Sequence, residues 1–247
     1  MMKRILSIGC GLIFLAASSA SASGVNLSWN DCGVVGLQNQ NFVCNTNSGV
    51  PFRMYASFDP PDGITRLIGG LAVIDFDRES ASVPSWWQLN NPGACRENSL
   101  TLDFGFPFTC VDYWAGAATG ALSYQVGFCG YSSVARLYVS FGKPEALAGP
   151  VEAGTEYYAF SIGLDRAKTV GPGACGGCPE AVCIVLSHMK LHQAPGLGDH
   201  LLSNPRDRNF VTWQGGVLGG QCPGYPLPQE CTPTLRSTWG QIKSLYR

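Results

Sequence analysis

Two cysteines and two histidines stand close together late in the chain, as Cys175-Gly176-Gly177-Cys178 and His188-x3-His192. Thiols two residues apart followed by paired imidazoles are the donor set of a structural zinc ion. The spacing argues against that ion. Nine residues separate Cys178 from His188, short of the usual gap of about twelve, and Cys183 intrudes. The histidines also lie in a Val-, Ile- and Leu-rich run that reads as strand, where four residues span roughly 13 Å. One ion cannot bridge that distance. The same cysteine pair has the spacing of a thioredoxin-like redox site, but such a site needs a strand leading into a helix start that lowers the thiol pKa. Here Pro172 to Pro179 reads as a hairpin tip, so cross-linking is the expected role.

Asp75, Asp77 and Glu79 alternate as an apolar run ends. Hard cations take several converging oxygens, so these three form a candidate calcium site, with Asp59, Asp62 and Asp112 as outside ligands. The Asp-x-Asp-x-Asp-Gly loop pattern is missing. Trp86-Trp87 and Tyr113-Trp114 are a different kind of candidate. Exposed, Trp86, Trp87 and Trp114 would make a stacking platform for sugar rings; buried, they would supply core area. Catalytic signals are sparse. There is no Gly-x-Ser-x-Gly or His-Glu-x-x-His motif, and His188, His192 and His200 all fall in one late segment. Glu152, Glu156, Asp165 and Asp199 have no spacing that marks a glycosidase pair.

Whatever these residues do, β-strands position them. Phe52, Met54, Ala56 and Phe58 alternate with Arg53, Tyr55 and Ser57, and Asp59-Pro60-Pro61-Asp62-Gly63 ends that run. Leu67 to Phe76 is apolar on both faces, with Gly69-Gly70 inside it, as in a central strand with a bulge or a close backbone approach. Ala135, Leu137, Val139 and Phe141 alternate, and so do Tyr158, Phe160, Ile162 and Leu164. Val182 to Leu191 is a further strand. With 31 glycines, 16 prolines and only 13% charged residues, the composition is that of strands and loops. The fold expected is an all-β antiparallel β-sandwich, immunoglobulin-like in type.

Met1 to Arg4 is basic, Ile5 to Ala17 apolar, and Ala20-Ser21-Ala22 small, which is the pattern of a signal peptide over 1–22. Its apolar run of about 13 residues is short of the roughly 20 that span a bilayer, and no later stretch is long enough to be a transmembrane segment. Cleavage would leave ten cysteines, an even set suited to an oxidising compartment, with the product secreted, periplasmic or on the cell surface. Sequence proximity favours Cys32–Cys44, Cys95–Cys110 and Cys222–Cys231, leaving Cys129, Cys175, Cys178 and Cys183 to pair among themselves. The sandwich is expected over 23–195. A Pro/Gly-rich tail would follow over 196–247, ending in a short docked helix on which Trp239, Ile242 and Leu245 or Tyr246 share a face. The net charge of -1 shows no basic patch, so nucleic acid is not an expected partner. An extracellular protein or a polysaccharide is, with no cofactor beyond possible calcium.

Four segments carry a resemblance: Gly24-Val25-Asn26-Leu27-Ser28-Trp29-Asn30-Asp31-Cys32; Phe58-Asp59-Pro60-Pro61; Cys175-Gly176-Gly177-Cys178 with Val182-Cys183-Ile184-Val185; and Thr238-Trp239-Gly240-Gln241-Ile242-Lys243-Ser244-Leu245-Tyr246-Arg247. Together they resemble a group of exported, uncharacterised proteins of environmental Gram-negative bacteria. That resemblance implies export and no particular activity. Tyr55 to Trp87 is also similar to cohesin-type sandwiches, which implies a fold and nothing more. The function expected is a secreted, non-catalytic binding or structural module. The alternative is a carbohydrate-active hydrolase or carbohydrate-binding protein.

Overall fold

The two alternating runs over Phe52–Asp59 (β3) and Ala135–Gly142 (β7) lie in different sheets, and their apolar sides face one core. The computed structural model describes residues 23–78, 80–105, 109–128, 131–216 and 222. The other elements are β1 (Gly24–Trp29), β2 (Asn39–Gln40), β4 (Leu67–Arg78), β5 (Leu100–Asp103), β6 (Thr119–Val126), β8 (Tyr157–Leu164), β9 (Val182–Gln193), β10 (His200–Leu202) and β11 (Phe210–Trp213). One sheet has the order β1-β3-β8-β5; the other runs β2-β11-β9-β4-β7-β6, with β10 also on β9. All pairs are antiparallel except β11 with β2. This is the expected all-β sandwich.

β4 is the long central strand that its two-sided apolar run requires, paired with β7 on one edge and β9 on the other. Its register against β9 shifts between Leu67 and Gly69. A Cβ at Gly70 would sit 2.7 Å from the Lys190 carbonyl oxygen and 2.8 Å from the Phe141 ring. Only glycine allows neighbouring strands that close. The register of β3 against β8 shifts between Ala56 and Ser57, where Ala159 is the extra residue of a bulge in β8. Tyr157 stacks on Phe58 at 5.8 Å, whereas Tyr158 turns to the outer face and meets Tyr55 at 6.2 Å. The alternation read from Tyr158 to Leu164 therefore holds only from Phe160 onward.

The expected boundary at 195/196 is corrected. Pro195 begins a loop rather than a tail: β10 pairs with β9, β11 lies between β9 and β2, and Val211 and Trp213 are fully buried. The segment between these strands then crosses to the other sheet. Backbone bonds join Val25 to Asn204 and Arg206, and Leu27 to Arg208. They occupy the edge of β1 that β3 leaves open, which protects it from pairing with another chain. The expected C-terminal helix lies outside the described residues.

Among the described residues the disulfides are Cys32–Cys110, Cys44–Cys178, Cys95–Cys175 and Cys183–Cys222. The expected short-range bridges Cys32–Cys44, Cys95–Cys110 and Cys222–Cys231 do not form, and Cys175, Cys178 and Cys183 do not pair among themselves. Partners lie 39 to 134 residues apart. The sandwich brings remote loops to one end, and a bridge can only join thiols that the topology places within reach. Cys129 and Cys231 lie outside the described residues. Bridges in this number place the folded chain in an oxidising setting, and no helix among the described residues is long and apolar enough to cross a membrane.

Candidate functional site

Cys175 and Cys178 each bond a distant cysteine, so this pair serves neither zinc nor redox exchange. The two bridges instead clamp the Cys175–Cys178 loop over an aromatic cluster. Trp213 donates its indole N–H to the Cys178 carbonyl at 2.7 Å, and Trp87 donates to Gly177 at 3.0 Å. Trp86 and Trp87 pack edge to face at 4.9 Å, and both touch Trp213, at 5.1 and 5.2 Å. The Arg96 guanidinium covers Trp86 at 3.7 Å.

Trp86 and Trp87 are fully buried and Trp114 is 2% exposed. Trp114 donates to the Tyr158 carbonyl at 2.8 Å and packs on Phe141. The sugar-platform reading of Trp86, Trp87 and Trp114 is therefore corrected. Every indole N–H has a partner inside, and no ring face is open to stack on a ligand.

The calcium reading fares no better at Asp75. This side chain is buried on the outer face of the seven-stranded sheet, with both oxygens held by Arg136 at 2.6 and 3.0 Å. Ser187 donates to it at 2.5 Å, and the Phe128 ring covers Arg136 at 3.6 Å. A buried carboxylate neutralised by a two-point arginine fork is a poor ligand for a cation, because the guanidinium already balances its charge. Asp77 is half-buried and Glu79 lies outside the described residues. No cluster of three potential metal donors occurs among the described residues. Beside this pair, the Nδ1 of His188 is buried without a hydrogen-bond partner among the described residues.

Burial, with the nearby Arg136 charge, holds the His188 imidazole below its ordinary value. A depressed folded pKa means that protonation favours the unfolded chain. The His188 contribution is complete above about pH 6.5 and is lost as pH falls from there through the folded value. Melting temperatures between pH 8 and pH 5 are expected to fall more for the native protein than for His188→Leu; equal slopes would contradict this placement.

Glu156, Asp165 and Asp199 are dispersed, in keeping with the lack of a glycosidase spacing. Glu156 and Asp165 flank the two ends of β8, roughly 30 Å apart along an extended chain. Glu156 accepts from Asn26 and Ser57 and pairs with Arg206 at 2.9 Å, so it ties the 204–208 segment to the sheet. Asp165 pairs with Arg96, and Asp199 with Lys190 and His192. A pocket of about 150 Å³ between Arg96, Asp165 and Lys168 is small beside ligand clefts of about 300–1,000 Å³.

A polar, partly open surface lies on the outer face of the four-stranded sheet. Arg53 in β3 donates through one nitrogen to Asp103 of β5 at 2.6 Å and to Ser161 of β8 at 2.7 Å. Tyr55, between Ser28 and Ser161 in register, is half-buried. Behind it Tyr158 is fully buried, its hydroxyl donating to the Asp103 carbonyl at 2.9 Å. Asp103 itself is open, with its side chain 45% exposed. The Gly105 N–H at 2.8 Å and the Arg53 charge hold its carboxyl below the usual range, so it is an anionic acceptor at neutral pH. Burial raises the Tyr55 phenol, which keeps it a hydroxyl donor. An anionic acceptor on β5 and a cationic donor with an aromatic ring on β3 are thus fixed on either side of Ser161 in β8.

Arg53 and Tyr55 were legible in the sequence as the outward half of the β3 alternation. Asp103 was not, because β5 has only four residues and no turn pattern marks it. No protein-family model, curated protein or solved structure matches the chain.

Proposed function

We propose that the chain is an exported, non-catalytic binding module that holds a hydroxyl-rich polysaccharide against the outer face of its four-stranded sheet. The Arg53–Asp103–Ser161 set beside the Tyr55 ring carries this reading. Sugars present apolar C–H faces that pack on flat aromatic rings, and hydroxyls that bond to fixed carboxylates and guanidinium groups. Strand-borne side chains locked by mutual hydrogen bonds pay little ordering entropy on binding. Near-neutral net charge suits an uncharged polymer. Export through the 1–22 leader, membership of the exported bacterial group it resembles, and an immunoglobulin-like or cohesin-like type of sandwich belong to the same proposal. The disulfides and the two-sheet packing support them.

Affinity electrophoresis of the mature protein through gels containing neutral polysaccharides tests the assignment. At least one polymer is expected to retard the native protein, and Tyr55→Ala should weaken that retardation at least about tenfold, the equivalent of 1.4 kcal/mol. Equal retardation of the variant, or none across β-glucan, xylan and mannan, would overturn it.

A further inference from the structure

We infer that Arg78, at the end of β4, holds a small buried anion of halide size inside the sandwich. Its Nε, Nη1 and Nη2 are all buried, and none meets a hydrogen-bond acceptor among the described residues. The residue is 3% exposed. The other two arginines buried to this degree are differently placed. Arg96 donates to the Trp86 carbonyl and to Asp165, and Arg136 grips both oxygens of Asp75. Arg78 has the Trp87 ring 5.6 Å from its guanidinium carbon and the Tyr124 hydroxyl beside it. That hydroxyl donates its proton to the Trp87 carbonyl at 2.7 Å. It is neutral, since burial pushes its pKa up to about 12.

A guanidinium cannot escape burial by losing its proton. A buried charge without a close counter-ion is costly, whereas methionine would fill the same space without that cost. Beyond the nearby Tyr124 oxygen, these N–H donors find no acceptor among the described residues, and an anion satisfies them. Trp87 and Val182 are fully buried and Val83 is nearly so, and in an interior packed at that density a monatomic anion is accommodated more readily than a phosphate or a carboxylate. Asp77 and Glu180 attract the guanidinium only at a distance, and no ion pair with either forms among the described residues. A chloride completes the site.

Bromide, which replaces chloride and scatters anomalously, is the direct probe. Crystals of the mature protein grown in sodium bromide are expected to show an anomalous peak within about 3.5 Å of the Arg78 nitrogens, at ordinary N–H to halide contact. In solution, replacing methanesulfonate by chloride at constant ionic strength should raise the melting temperature. The expected rise is about 5 °C across a hundredfold range above the dissociation constant. Arg78→Met should abolish that dependence. A peak-free Arg78 in bromide crystals, or the same chloride dependence in Arg78→Met, would overturn the inference. The crystal result decides the matter even if the variant does not fold.

Discussion

Trp213→Ala is expected to lower the stability of the mature protein by about 3–5 kcal/mol, the cost of emptying a well-packed aromatic site. For a domain of this length that is a fall of about 10 °C in melting temperature. Trp213 is fully buried and touches Trp29, Phe42, Phe52, Trp86 and Trp87, at 4.4 to 6.1 Å between ring centres. Its indole N–H also fixes the doubly bridged cysteine loop through the Cys178 carbonyl. The two disulfides limit how far the loop can settle into the space left behind, so relaxation recovers little. Trp213→Phe keeps most of the packing and loses that hydrogen bond, for about 1–2 kcal/mol. Urea unfolding of the three proteins checks the order, and a loss under 1 kcal/mol for alanine would show that the cluster is not the centre of the core.

The second large effect belongs to Asp75. Asp75→Ala removes the carboxylate from a guanidinium that is fully buried, and the expected loss is about 3–5 kcal/mol. The cost comes from the charge left behind more than from the bond itself. Accordingly Asp75→Ala combined with Arg136→Met should regain most of the loss, because the apolar pair carries no desolvation penalty. Denaturant unfolding of the single and double variants separates the two contributions. A double variant as unstable as the sum of its parts would show that the pair contributes through packing alone.

Which features the sequence disclosed follows from how local their causes are. Side-chain alternation is local, so the faces of β3 and β7 and the central place of β4 could be read directly. A bulge is one residue of extra backbone, and no residue type announces it; that is why Tyr158 moved to the outer face. Disulfide partners depend on which loops the strand order gathers, and Cys44 reaches Cys178 across 134 residues. The tryptophans were ambiguous in kind. A Trp-Trp pair beside a cysteine suits a core and a platform equally, and only their burial decides. Polar edge strands such as His200–Leu202 look like loop because one face is wet. The Arg53 and Tyr55 half of the proposed surface follows from alternation, while Asp103 joins it only through the β5–β8 pairing.

The aromatic core is sealed and the Tyr55 face is open, and hydroxyl-radical footprinting with and without a retained polysaccharide tests that division most directly. Tyr55 is expected to be oxidised in the free protein and protected by the polymer, with Trp86, Trp87 and Trp114 unlabelled in both states. Labelling of those tryptophans that the polymer suppresses, with Tyr55 unchanged, would contradict it.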